Sequence, residues 1–328
     1  MERKKTAMAK CIAVVDDFLA PRHRSQIEST AAACGYTVRW LPDDQSATGT
    51  IGDCEILFGH CVPNVLRAAP HLRWFCCSQA GVEHYMKDGI FPEGCVLTNS
   101  SGAYGVTIAE HILMVSLMLL RHMPAYEDWI GERKWFGHLP VRSLRGSTVT
   151  LLGTGDIGTT FAHRLRGMEP GAILGVSRSG RRTDPVYDEM HPLAELDAVL
   201  PRTDLLVMSL PATRETAGLL SRERIALLPE TAYLVNVGRG KTLDQAALVD
   251  ALNAGALAGA ALDVAAPEPP KPDDPLWSAR NLILTPHVAG NLSLGYTQDK
   301  VAEQFCEDLR SWAAGRPLAH LVDRTRGY

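Results

Sequence analysis

The chain has 328 residues, 46% of them hydrophobic and 21% charged, enough for two compact domains and too ordinary a composition for a disordered, collagenous or coiled-coil protein. Its 33 Lys and Arg stand against 37 Asp and Glu, and the net charge of −4 offers no basic footprint for a nucleic acid. The eight cysteines show no CxxC or CxxH spacing, so neither a metal site nor a disulfide framework is expected, and free thiols point to the cytoplasm.

The basic start, residues 1–5, is followed by an apolar run too short for a signal peptide. Short apolar runs then alternate with helix-length segments, the pattern of βαβ units on a parallel sheet. A first series predicts strands over 12–15, 37–40, 55–58, 73–76 and 96–98, with the clearest helix over 23–33. A long helix over 104–123 follows, stopped by Pro124. Its most apolar run, 112–120, is well short of a bilayer crossing, so no membrane partner is expected. Over 126–140, Trp129, Trp135 and Phe136 stand among charges without a strong period, read as an arm that makes a homodimer contact. A second series predicts strands over 148–152, 172–176, 204–208, 233–236, 259–262 and 281–284, separated by helices over 157–166, 222–227 and 244–253. A terminal helix over 294–314 stops at Gly315 and Pro317.

The strand over 148–152 runs directly into Gly153-Thr154-Gly155-Asp156-Ile157-Gly158 and then a helix, the context a GxGxxG needs. Gly153 allows a tight turn, Gly155 lets the backbone approach a pyrophosphate, and Gly158 lets helix and strand pack closely. An acid at the end of the next strand would bind the adenosine ribose hydroxyls and repel a 2′-phosphate. Instead Ser177, Arg178 and Ser179 stand there, with Arg181 and Arg182 following, and these groups suit a phosphate dianion. NADP(H) is therefore the expected cofactor, with NAD(H) the alternative.

Further along come Asn236-Val237-Gly238-Arg239-Gly240, then Asp263 with Glu268-Pro269, then Thr285-Pro286-His287-Val288-Ala289-Gly290. Taken with Ser78-Gln79-Ala80-Gly81-Val82 upstream, this order resembles the D-isomer-specific 2-hydroxyacid dehydrogenase family over nearly the whole chain. The resemblance implies an α/β fold of two Rossmann-like, doubly wound parallel-sheet domains. A dinucleotide-binding domain, 104–287, is inserted into a substrate-binding domain made of 1–103 and 288–328. It also implies coenzyme contacts at Leu210, Pro211 and Thr216, at Val237 and Gly238, at Ala289 and Gly290, and from Asp263 to the nicotinamide carboxamide. The backbone of Ala80, Gly81 and Val82 would bind the substrate carboxylate.

Reducing a 2-oxo acid requires a cation for the carboxylate, a proton donor for the carbonyl oxygen, and a group that keeps that donor charged. Arg239 can grip a carboxylate in a bidentate fork, His287 can supply the proton to the substrate it contacts, and a carboxylate such as Glu268 favours the imidazolium. The expected activity is an NADPH-linked reduction of a small 2-oxo acid to a D-2-hydroxy acid, as in the family's glyoxylate and hydroxypyruvate reductases. An NAD-linked dehydrogenase of phosphoglycerate or of branched or aromatic 2-hydroxy acids is the nearer alternative. A nucleotide-sensing, corepressor-like binding protein is the more distant one. Tyr104, Trp135 and Tyr296 are candidates for the side-chain pocket, and His111 is read as a packed, hydrogen-bonded core histidine.

Overall fold

The computed structural model describes residues 10–324 apart from Asp17, Asp88, Phe136 and Thr183, so the basic start and Phe136 of the arm lie outside the described residues. The strands in chain order are β1 (Lys10–Val15), β2 (Tyr36–Leu41), β3 (Cys54–Gly59), β4 (Trp74–Cys77), β5 (Val96–Thr98), β6 (Thr148–Leu152), β7 (Ala172–Ser177), β8 (Glu189–Pro192), β9 (Leu205–Met208), β10 (Tyr233–Asn236), β11 (Gly259–Leu262) and β12 (Leu282–Leu284). The α-helices are α1 (Pro21–Ala33), α2 (Asp44–Ala47), α3 (Pro63–Arg67), α4 (Gly105–Leu120), α5 (Met123–Gly131), α6 (Asp156–Leu165), α7 (Leu196–Val199), α8 (Arg222–Ile225), α9 (Gln245–Ala254) and α10 (Gly295–Ala313). They form two compact units, Met1–Tyr104 with Leu292–Tyr328, and Gly105–Asn291.

The first unit carries a five-stranded sheet in the order β2-β1-β3-β4-β5, every pair parallel. Ile12 to Val14 and Ile56 to Phe58 are fully buried because helices cover both faces of a parallel sheet, which demands unbroken apolar runs. On one face Phe58 stacks on Phe305 of α10 at 4.2 Å between ring centroids, and Trp74 on the same ring at 5.6 Å. Ala13, Leu57, Phe75 and Cys77 pack on the other face with Val65, Leu66 and Tyr85.

The central unit has seven parallel strands in the order β12-β11-β10-β9-β6-β7-β8. The chain moves outward from β6 to β7 and β8, then returns to the other side of β6 with β9. That reversal is the switch point outside whose strand ends an α/β sheet binds ligands. Leu152, Leu174, Leu206, Leu234 and Leu262 fill the core with Leu248 and Leu252 of α9.

Two local differences from the sequence expectation have plain causes. Pro124 does not stop the long helix: α4 ends at Leu120, His122 adopts a left-handed φ of 56°, and Pro124 sits in the first turn of α5, where its missing N–H has no partner to lose. Part of the arm is thus helical, with Trp129 edge-on to Tyr126 and Trp135 87% exposed. The edge strand β8 was not expected because its sequence, Glu-Met-His-Pro, has no apolar run; it pairs on one side only and ends in proline. Among the described residues no single helix is long and apolar enough to cross a membrane.

Candidate active site

The turn between β6 and α6 is shaped by what its glycines leave out. Gly153 has φ +109°, in the region that favours glycine, and a Cβ on it would lie 2.8 Å from Ser209 Oγ. A Cβ on Gly158 would collide with the Gly153 carbonyl oxygen, so helix and strand pack as closely as backbone permits. A Cβ on Gly155 would meet nothing within 4 Å, and no side chain caps the helix here. An open glycine at a helix N-terminus, with backbone N–H groups aimed outward, fits a dinucleotide pyrophosphate.

Thr154 turns its carbonyl to the Thr159 hydroxyl at 3.1 Å, and Ile157 lies in the first turn of α6, partly exposed. The Asp156 carboxylate lies against the start of α4 beside Gly105 and accepts from Thr160 Oγ1 at 3.4 Å. Gly105 has no side chain because a Cβ there would strike that carboxylate.

Ser177 is the last residue of β7, at the strand end where the second βα connection of such a sheet begins. Its hydroxyl accepts from Gly180 N at 3.2 Å, and Ser179 Oγ accepts from Arg181 N at 3.4 Å, so both hydroxyls shape the turn. Arg178 and Arg181 are exposed. Arg182, read from sequence as part of the phosphate group, points elsewhere: it donates to the carbonyl oxygens of Tyr187 and, at 2.6 Å, Asp188. A guanidinium finds backbone acceptors within reach on the segment that leads into β8, and sequence gives residue type but not side-chain direction.

Arg239, Glu268 and His287 all lie in loops that follow strands of the central unit. Arg239 follows β10, and Gly240 beside it lies so near the Ala265 carbonyl that any side chain would clash. The Asn236 and Thr242 side chains hold the Arg239 carbonyl at 3.2 and 2.6 Å, and Arg239 Nη1 donates to the Gly238 carbonyl at 2.7 Å. Gly238 itself approaches the Leu210 backbone, where a Cβ would come within 2.6 Å of the carbonyl oxygen. The loop after β11 is tied by Gln245 Oε1, which accepts from Ala266 N at 3.0 Å. Glu268 then bridges, with Oε1 accepting from Ala265 N at 3.2 Å and Oε2 pairing with His287 Nδ1 at 2.9 Å. Both side chains remain nearly half exposed, 41% and 47%.

Asp263, 3% exposed at the end of β11, organises the loop that carries His287. Its carboxylate accepts from Thr285 Oγ1 at 2.6 Å, Val288 N at 2.9 Å and Ala289 N at 2.9 Å, and its carbonyl accepts from His287 N. His287 is held in a left-handed conformation, φ 55°. Because Thr285 gives its one hydroxyl proton to Asp263, its oxygen accepts from His111 Nε2–H at 3.4 Å, which fixes that tautomer. Burial pushes His111 below the usual imidazole range, against the nearby Asp263 charge. Sequence reading quoted Thr285 only as part of a motif, without a role for its hydroxyl, and missed Gln245, for which the signal, a polar residue near a strand end, is common to any loop.

The remaining positions fall as follows. Leu210 and Pro211 are partly exposed after β9, and the Thr216 hydroxyl closes that loop on itself, accepting from Thr213 N at 2.8 Å and donating to the Pro211 carbonyl at 2.6 Å. Val237 is buried, its N–H bound to the Met208 carbonyl at 3.0 Å; Ala289 is buried and Gly290 partly so. In the other unit Ala80, Gly81 and Val82 follow β4, with the Ala80 carbonyl fixed by Asn99 Nδ2 at 2.7 Å. Tyr104 is buried and its hydroxyl donates to the Ser78 carbonyl at 2.6 Å, which removes it as a pocket wall; Trp135 and Tyr296 are exposed.

A parallel sheet with a glycine-rich first turn at its switch point defines a dinucleotide-binding domain of Rossmann type. Residues 113–289 match the family model described as D-isomer specific 2-hydroxyacid dehydrogenase, NAD binding domain. The crystal structure of a D-isomer specific 2-hydroxyacid dehydrogenase family protein from Aeromonas salmonicida is 32% identical, with a TM-score of 0.82 over 96% of this chain and 99% of that one. An NADPH-dependent glyoxylate/hydroxypyruvate reductase from Sinorhizobium meliloti, solved with NADP and sulfate, is 27% identical, with a TM-score of 0.80 over 97% and 100%. The D-3-phosphoglycerate dehydrogenase of Archaeoglobus fulgidus is 30% identical over 79% of this chain, but the match spans only 49% of that longer protein. The chain belongs to the D-isomer-specific 2-hydroxyacid dehydrogenase family, whose members are NAD(P)-dependent oxidoreductases.

Proposed function

We propose that the protein reduces a small 2-oxo acid to the D-2-hydroxy acid with NADPH. The observation that carries this reading is the Glu268–His287 pair at 2.9 Å, built on a loop fixed by Asp263 and tied through Ala265 to the Arg239 loop. The nicotinamide coenzyme, when bound, supplies the hydride. Arg239 holds the substrate carboxylate in a fork and polarises the adjacent carbonyl. With Nδ1 engaged by Glu268, His287 presents Nε2 as the atom that delivers a proton to the carbonyl oxygen, and it takes the proton back in the oxidative direction. The Glu268 carboxylate orients the ring and favours its charged form.

Support for NADPH over NADH comes from the end of β7, where Ser177, Arg178 and Ser179 stand in place of an acid, and from the Sinorhizobium relative solved with NADP. Arg178 and Arg181 are the cations this reading assigns to a 2′-phosphate. The reading also assigns backbone groups of Ala80, Gly81 and Val82 to a substrate carboxylate.

The test is coenzyme oxidation by purified protein with glyoxylate, hydroxypyruvate, pyruvate, phenylpyruvate and 3-phosphohydroxypyruvate. NADPH oxidation on glyoxylate or hydroxypyruvate should exceed NADH oxidation by about tenfold or more, a difference worth about 1.4 kcal/mol, and Arg239→Ala should abolish it. Turnover with NADH alone overturns the phosphate assignment, and preference for the phosphorylated substrate overturns the substrate class. Tight coenzyme binding without turnover would make the protein a sensor.

A further inference from the structure

All eight cysteines are free, and two of them meet outside the candidate site. Cys11 on β1 and Cys54 on β3 are register partners across a parallel strand pair, with their sulfurs 2.9 Å apart. That is inside ordinary sulfur–sulfur contact and outside a bond of about 2.05 Å. Their meeting has a definite cause. The register shifts between Cys11 and Ile12, so that Cys11 faces Cys54 while Ile12 faces Ile56, and Glu55 is the extra residue of a bulge. Strict alternation would put Cys54 and Leu57 on opposite faces; with the bulge both pack with Cys11, Ala13 and Val15.

A cation is built in beside the pair. Arg39 reaches across from β2, donates from Nη1 to Cys54 Sγ at 3.6 Å, and is anchored on Asp53 by two bonds of 2.7 and 2.9 Å. Both sulfurs are buried, Cys11 at 8% exposure and Cys54 at none, while the Arg39 side chain beside them is 38% exposed and reaches solvent. The Cys54 thiol donates to the Cys11 sulfur, and this bond, helped by the Arg39 charge and opposed by burial, lowers the Cys11 thiol to about 7. Burial moves other cysteines the opposite way, Cys77 up to about 12 and Cys95 up to about 11.

We propose that Cys11 and Cys54 are a covalent modification site, a vicinal-strand dithiol that a hydroperoxide converts to an intramolecular disulfide. The Cys11 thiolate attacks one peroxide oxygen, the O–O bond breaks, and hydroxide leaves to take up a proton, giving water and a sulfenic acid on Cys11. Cys54 then gives up its thiol proton and attacks the Cys11 sulfur; the S–O bond breaks and a second water departs. Two thiols and one hydrogen peroxide yield one disulfide and two waters, an organic hydroperoxide leaving an alcohol in place of the first water, and the sulfurs lose the two electrons that the peroxide gains. A thiol reductant reverses the step.

The experiment uses the full chain at pH 7 with a limited excess of hydrogen peroxide, followed by thiol counting under denaturing conditions and a non-reducing peptide map. The thiol count should fall from eight to six with a mass loss of two hydrogens, the Cys11 and Cys54 peptides should be linked, and dithiothreitol should restore both. Cys34→Ser should form the same link, and Arg39→Gln should slow its formation by about threefold or more. Cys11→Ser should abolish it; if that variant does not fold, the map of the unaltered chain decides alone. Over-oxidation of Cys11 to sulfinic acid with Cys54 left reduced, or a link between any other pair, overturns the proposal, as does consumption of Cys34 with Cys11 and Cys54 intact.

Discussion

In the unit built from both ends of the chain, β1 leads into α1 through a turn organised by a carboxylate. Asp16, 4% exposed, accepts from Phe18 N at 2.9 Å and Leu19 N at 2.7 Å, and its second oxygen pairs with Arg24 at 2.9 Å. In the central unit β6 leads into α6 through a turn made of glycines; neither α1 nor α6 is capped by the side chain of its N-cap residue, so the two differ in the turn itself. Both turns follow the first strand of a doubly wound sheet, and backbone N–H groups at both need negative charge. One turn is satisfied from within and the other is built to be satisfied from outside. The same contrast runs through the strand ends of the central unit, where buried Asp263 is spent wholly on the loop, while half-exposed Glu268 keeps one oxygen on Ala265 N and turns the other to half-exposed His287.

If the outward groups serve chemistry and the inward ones serve the fold, substitutions should separate cleanly. His287→Gln should lower kcat by about 10²–10⁴-fold, the usual effect of losing a general acid. The thermal midpoint should stay unchanged, because the ring is half exposed and its loop is held by Asp263 rather than by the imidazole. Steady-state kinetics alongside a melting curve measures both. Undiminished kcat in a folded His287→Gln protein would leave the pair without the role assigned to it.

What sequence could show and what it could not divides along the same line. Strands and glycines were legible because apolar period and the absence of a side chain are properties of residue type: all eleven expected strands appear, within two residues at each end. Direction was not legible. Arg182 has the right type for a nucleotide site, yet it binds the backbone near β8, and the Asp156 side chain lies beside Gly105. Tyr104 is spent on the Ser78 carbonyl for the same reason. The Cys11–Cys54 meeting was beyond reach, because it depends on a bulge at Glu55 that no spacing rule marks.

Asp16→Ala probes the inward turn. It removes the acceptor for one buried and one part-buried N–H group and the partner of Arg24, and orphaned donors of this kind cost about 1–3 kcal/mol. Denaturant unfolding should show a loss of about 2–3 kcal/mol while coenzyme affinity stays within about twofold of the unaltered chain. A change in coenzyme affinity without loss of stability would erase the distinction between the two turns.

Gly155→Ala probes the outward turn and should have the smallest effect of the three. Gly155 has φ −80°, which alanine adopts freely, and the added Cβ meets no protein atom within 4 Å. Folding should therefore be untouched, and the melting curve should superimpose on that of the unaltered chain. The same methyl group would stand where the backbone is left bare for a pyrophosphate, so NADPH affinity should drop by about tenfold, or about 1.4 kcal/mol. Fluorescence titration with NADPH measures this directly. Unchanged affinity would mean that the anion is held elsewhere, whereas a destabilised protein would mean that the turn is packed against its own chain, as at Asp16.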